Sequence, residues 1–179
     1  QLAVWLKLPK VVALGEIGLD YYYDDGAPRE LQRKIFIEQI DVAKQMNKPI
    51  VVHNRDAHGD VMDILKKEAK GLTGVMHCYS GSWEMAKELI KMNFFLSVGG
   101  PVTFKNSAKL PEIVAKIPLE YLLLETDCPY LTPQPYRGKR NEPAYIKIIA
   151  EKIAQIRNIT VEELAVTTTD NVKNLFGIK

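Results

Sequence analysis

Short apolar runs rich in β-branched residues alternate along this chain with longer stretches whose apolar positions recur at helical spacing. The runs occupy residues 11–14, 50–52, 74–76, 94–98 and 121–124. Each is continuous rather than alternating, the pattern of strands covered on both faces. Polar or glycine-containing turns and amphipathic segments separate them, so the order is that of successive parallel βα units in an α/β fold.

The helical segments carry their own start and stop signals. Pro28 opens one with Leu31, Ile35, Phe36, Ile40 and Ala43 on a single face, closed by Asn47 and Pro49. Ser82 is placed to cap a helix over residues 83–92, ended by Asn93. Asn141, Glu142 and Pro143 start a long helix through Ile156. Thr160 and Glu163 have capping-box spacing for another, which ends at Gly177. No linker, repeat or biased tract divides the chain, so residues 1–179 are read as one domain.

Composition changes this picture little. Hydrophobic residues at 46% and charged residues at 26% are those of an ordinary globular protein, which excludes a disordered tail or low-complexity scaffold. A formal charge of +2 is too small to mark a nucleic-acid binder by composition, so an anionic partner must be held locally. No run approaches the roughly 18 apolar residues of a membrane span, and residues 1–7 lack a secretory pattern. A cytoplasmic protein without a membrane partner is expected. Cys78 and Cys128 stand far apart in no CxxC arrangement and are expected to be reduced, buried thiols.

The informative residues stand where strands are expected to end. Glu16 lies just past the first run, His53 and His77 end the second and third, and Asp127 follows the fifth. The C-terminal ends of parallel strands converge on one face, where active sites are built. A lone histidine in such a place is commonly a structural, hydrogen-bonded residue, but four potential ligands in equivalent places favour a metal. Two imidazoles and two carboxylates suit Zn²⁺, Mn²⁺ or Mg²⁺, one or two ions per chain. Glu16 is the candidate bridge between two ions, because its strand is expected beside the two histidine strands. A metal pair can activate water and stabilise both oxygens in a phosphodiester displacement. His58 and the loop residues Asp20, Asp24 and Asp25 read instead as solvated or capping groups.

A second constellation follows the last strand. Arg137, Lys139 and Arg140 lie within four positions, stiffened by prolines and followed by a helix start, a fit for phosphate. Tyr130, Tyr136 and Phe104 offer faces for stacked bases, the usual means of holding single strands.

Taken together, these segments resemble the TatD family of metal-dependent deoxyribonucleases, among the amidohydrolase-like TIM barrels. The resemblance rests on Gly15-Glu16-Ile17-Gly18-Leu19-Asp20-Tyr21, Val52-His53-Asn54-Arg55-Asp56-Ala57 and His77-Cys78-Tyr79-Ser80-Gly81-Ser82. It continues through Gly100-Pro101-Val102-Thr103-Phe104-Lys105-Asn106, Leu124-Glu125-Thr126-Asp127-Cys128-Pro129-Tyr130-Leu131-Thr132-Pro133 and Arg137-Gly138-Lys139-Arg140-Asn141-Glu142-Pro143. It implies a (β/α)₈ barrel, divalent ions, and hydrolysis of DNA, with 3′-to-5′ exonuclease action on single strands known among members. By position, Glu16 would be the shared ligand, and His53 and His77 would complete one metal site. Asp127 would serve the other while orienting the nucleophilic water, with Arg137, Lys139 and Arg140 beside the DNA backbone.

One motif of that family is missing. Its first strand ends in His-x-His, and the only histidines here are His53, His58 and His77. The first run therefore matches the family's fourth strand, so five of eight βα units are expected, with residues 1–10 as the end of a preceding helix. One metal site keeps its side-chain ligands, whereas the other keeps Glu16 and Asp127. Two alternatives stay open: a metal-dependent ester or amide hydrolase of the same superfamily, and a non-catalytic nucleic-acid-binding fragment.

Overall fold

The computed structural model describes residues 1–179. In chain order the elements are α1 (Leu2–Trp5), β1 (Leu14–Asp20), α2 (Arg29–Gln45), β2 (Ile50–Arg55), α3 (His58–Glu68), β3 (Gly74–Met76), α4 (Trp83–Lys91), β4 (Phe94–Val98), α5 (Lys109–Lys116), β5 (Leu122–Leu124), α6 (Ile146–Arg157) and α7 (Val161–Phe176). The βα alternation expected from the sequence is present, and no helix is long and apolar enough to cross a membrane.

The chain forms two compact units. The first comprises Gln1–His77, Lys87–Phe95 and Leu175–Lys179. In it β1 pairs with β2 and β2 with β3, all parallel. The β1 ladder aligns Leu14 with Ile50 but Ile17 with Val52, so β1 carries one extra residue at Gly15 and Glu16. Such a bulge re-aims a side chain beside an active site. Beyond it, Ile17 and Leu19 are buried, while Gly18 and Asp20 belong to the opposite face. On α2, Phe36, Ile40 and Ala43 are wholly buried, each large one contributing about 1.5–3 kcal/mol by leaving water.

The second unit comprises Cys78–Ala86 and Leu96–Asn174. Here β4 and β5 pair in parallel, Leu96 with Leu122 and Val98 with Leu124. Ile149 and Ile153 of α6 are wholly buried. Arg157 at the end of α6 donates from Nη1 to the carbonyls of Val114 and Ile117 at 2.7 and 2.6 Å, closing the end of α5. Asn171 of α7 donates from Nδ2 to the carbonyls of Leu119 and Leu122, at 2.8 and 2.9 Å.

Several expected boundaries move. Residues 11–13 are not strand, because the ladder begins at Leu14; β1 runs on through Asp20. Leu31 and Ile35 of α2 are exposed rather than on the buried face. The helix expected from Asn141 begins as a 3₁₀ turn over Pro143–Tyr145 and becomes α-helical at Ile146. Helix α5, with Pro111 in its first turn, was not anticipated. The caps hold: Ser82 Oγ accepts from the Met85 amide at 3.2 Å and Thr160 Oγ1 from the Glu163 amide at 3.0 Å.

Candidate metal centre

Glu16, His53 and His77 meet in the first unit. Glu16 lies within β1 at the bulge rather than past the strand's end, and His53 within β2 rather than at its end; His77 directly follows β3. β2 lies between β1 and β3, so one carboxylate reaches across to both imidazoles. Glu16 Oε1 stands 2.7 Å from His53 Nδ1 and 3.0 Å from His77 Nε2. The two rings stack with centroids 5.7 Å apart.

This donor set fits a divalent ion. One ligand atom from each residue lies within 4.8 Å of the other two. Ligands about 2.0–2.2 Å from a common ion stand roughly 3–4 Å apart, so only small movements separate this trio from coordination. Two imidazoles and a carboxylate also leave coordination positions for water or substrate, as catalytic sites require.

Asp20 belongs to this cluster, and reading it as a solvated loop residue was wrong. It is the last residue of β1, and its Oδ2 lies 3.0 Å from His53 Nε2. The imidazole is thus held by Glu16 on one nitrogen and Asp20 on the other. Gln32 of α2 fixes the Asp20 backbone in turn: the Asp20 amide donates to Gln32 Oε1 and Gln32 Nε2 donates to the Asp20 carbonyl, both at 2.9 Å. Room for the arrangement comes from Gly18, whose φ is +148°. A Cβ there would lie 2.0 Å from the His53 carbonyl oxygen, so a side chain cannot be accommodated without opening the β1–β2 ladder.

His58 does not cap, and it is half-buried rather than fully solvated. It is the first residue of α3, Ala57 holds the cap position, and His58 Nε2 is buried without a hydrogen-bond partner. Asp24 and Asp25 are exposed, as expected. Cys78 and Cys128 are free thiols, Cys78 half-buried and Cys128 exposed, not both buried; Cys128 sits in a surface turn.

The remaining candidates lie in the second unit. Asp127 follows β5 by three residues in a left-handed conformation, φ 55°, which aspartate tolerates better than most side chains. Its loop is clamped by buried Asn141, whose Nδ2 donates to the carbonyls of Thr126 and Tyr130 at 2.6 and 2.5 Å. Sequence reading missed this role, since nothing local marks a residue that bridges a loop fourteen positions upstream. Glu125, also missed, accepts a short hydrogen bond from the Cys78 amide through Oε1.

Arg137, Lys139 and Arg140 are exposed on the loop before α6. The Arg137 guanidinium lies 3.9 Å over the Phe104 ring, and Lys139 Nζ 5.9 Å from the Tyr136 ring centre. Tyr136 stacks on Tyr145 with centroids 4.8 Å apart, so one of its faces is already covered; Tyr130 is exposed. Arg140 and Asn141 line a hollow of about 390 Å³ with Cys128, Pro129, Glu142 and Pro143.

Known proteins resemble this chain in sequence and fold. The TatD related DNase family matches residues 1–177. A Bacillus subtilis protein named uncharacterized metal-dependent hydrolase YabD is 56% identical over 170 residues, 94% of this chain and 66% of its own length. The 3′-5′ ssDNA/RNA exonuclease TatD of Escherichia fergusonii is 40% identical over 177 residues, 95% of this chain and 67% of its own. The crystal structure of YJJV, a TatD homologue from Escherichia coli K12, superposes with a TM-score of 0.92 at 31% identity, covering 99% of this chain and 69% of that one. The chain thus spans about two-thirds of the length of these relatives. With a family match over nearly every residue and these relatives, the chain belongs to the TatD-related DNase family.

Proposed function

We propose that this chain carries the catalytic face of a metal-dependent hydrolase that cleaves phosphodiester bonds of single-stranded DNA, removing nucleotides from the 3′ end. The observation that carries the reading is the convergence of Glu16, His53 and His77 in a chain of this family. The name of the Escherichia fergusonii relative supports the substrate class and polarity. The five strands read as the last five of the eight in a (β/α)₈ barrel, and the match over residues 1–177 favours a single hydrolase domain. A cytoplasmic location suits that activity.

In this reading Glu16, His53 and His77 hold a divalent ion, Mg²⁺, Mn²⁺ or Zn²⁺, with Glu16 shared if a second ion binds. Such an ion supplies Lewis acidity, easing loss of a proton from water and stabilising charge on the phosphate oxygens. Asp127 orients the attacking water and accepts its proton. Arg137, Lys139 and Arg140 hold the backbone phosphates flanking the scissile bond. Water adds to phosphorus, the bond to the 3′ oxygen breaks, and that oxygen takes a proton from solvent as Asp127 returns its own to solvent.

The test compares nucleotide release from 3′-labelled and 5′-labelled single strands with hydrolysis of carboxyl esters, in Mg²⁺, Mn²⁺, Zn²⁺ and chelator. Metal-dependent release from the 3′ end, lost in Glu16→Gln and His53→Ala, is expected. Ester turnover without nucleotide release would overturn the substrate assignment, and DNA binding with no cleavage in any metal would overturn the catalytic one.

A further inference from the structure

The loop that follows β1 carries side chains that the hydrolytic centre leaves unused. Tyr22 and Tyr23 are 54% and 56% exposed, and their rings meet edge to face with centroids 5.0 Å apart. Arg55, the last residue of β2, places its guanidinium 3.7 Å over the Tyr22 ring and 5.3 Å from that of Tyr23. Its Nη1 donates to the Tyr23 hydroxyl at 3.4 Å, and it enters no ion pair.

The position of this group relative to the candidate metal centre follows from strand geometry. Arg55 is two residues beyond His53 on β2, so both project from the same face, about 7 Å apart along the strand. Asp20, which contacts His53, is the register partner of Arg55, and the Tyr21 amide donates to the Arg55 carbonyl at 2.9 Å. The aromatic group and the metal-binding trio therefore share one stretch of paired backbone.

Two adjacent exposed tyrosines forgo the burial that normally rewards an aromatic side chain, yet an arginine fixes their rings. A π-face beside an unpaired guanidinium complements a flat heterocycle next to a phosphate. Asp24 and Asp25 close the same loop and are exposed, so the patch has no surplus of positive charge and any hold it exerts comes chiefly from stacking.

We propose that Tyr22, Tyr23 and Arg55 form a stacking platform for an unpaired base of single-stranded nucleic acid, next to the nucleotide being cleaved. The proposal rests on the nuclease reading above and adds a contact that selects unpaired over paired strands. The test measures fluorescence anisotropy of labelled oligothymidylate in chelator, where no cleavage occurs, for wild type, Tyr22→Ala, Tyr23→Ala, Tyr22→Phe and Arg55→Ala. Stacking losses per base convert to about 5- to 150-fold weaker binding for the tyrosine-to-alanine variants. Tyr22→Phe keeps wild-type affinity, and the ratio of wild type to Tyr22→Ala stays constant as salt is raised. Thermal melting of each variant confirms folding. Alanine variants that bind as tightly as wild type, or equal loss for Tyr22→Phe and Tyr22→Ala, would overturn the platform alone. A wild-type chain that binds no oligothymidylate and turns over only carboxyl esters would overturn the nuclease reading and the platform with it.

Discussion

Removing the Asp20 carboxylate by Asp20→Ala tests whether the candidate metal-binding trio depends on a neighbouring carboxylate outside it. The perturbation is confined: the two hydrogen bonds between Gln32 and the Asp20 main chain survive, so β1 keeps its course. What is lost is the 3.0 Å contact to His53 Nε2 and the bond from the Tyr22 amide to Oδ1. A hydrogen bond to a charged group contributes about 1.5–3 kcal/mol. The side chains of His53 and Asp20 are 30% and 29% exposed, which places the effect in the lower part of that range. The expected result is therefore about tenfold to thirtyfold weaker metal affinity, within the 10–100-fold typical of outer partners of ligating histidines. Isothermal calorimetry with Mn²⁺ or Zn²⁺ reads this directly, and Asp20→Asn, which keeps an acceptor oxygen, falls between the two. Asp20→Ala affinity within twofold of wild type, alongside complete loss in His53→Ala, would refute the reasoning.

Two further outcomes follow from the same fold. Gly18→Ala forces a Cβ toward the His53 carbonyl from a backbone conformation that only glycine adopts readily, and should cost about 3 kcal/mol or more, read as a lower urea midpoint. Burial pushes the Tyr79 phenol well above its ordinary range, with the charge of Glu84 adding to the rise and a backbone hydrogen bond opposing it. A raised native value means this contribution to stability is complete below about pH 10, where unfolded tyrosine begins to ionise, and is lost as pH climbs toward the native value. Tyr79→Phe should flatten part of that alkaline loss in denaturation curves recorded against pH, the remainder belonging to groups such as Tyr21, pushed up to about 12 by burial and its bond to Asp60.

The strand and helix order was legible because buried parallel strands leave continuous apolar runs, as at residues 94–98. The course of β1 was not, since Glu16, Gly18 and Asp20 give one of its faces a polar pattern that imitates a loop. The same disguise hid Asp20, whose partner His53 is thirty-three positions away and becomes its neighbour only through the parallel register. The convergence of Glu16, His53 and His77 was legible because each belongs to a chemically distinctive type placed at or near a strand end. Asn141 could not: a buried amide that ties two carbonyls of a distant loop looks, in sequence, like a helix start.

The bond from Asn171 to the carbonyls of Leu119 and Leu122 has a temporal meaning as well as a structural one. A chain is made from its N-terminus, and β5 leaves the ribosome well before α7. Until Asn171 emerges, the carbonyl of Leu122 in β5 and that of Leu119 in the turn before it lack their native donor. The Glu16, His53 and His77 trio comes from earlier residues, although the unit that carries it is completed only by Leu175–Lys179. Synthesis therefore latches β5 only once α7 has emerged, a delay that pulsed hydrogen exchange on stalled chains would reveal.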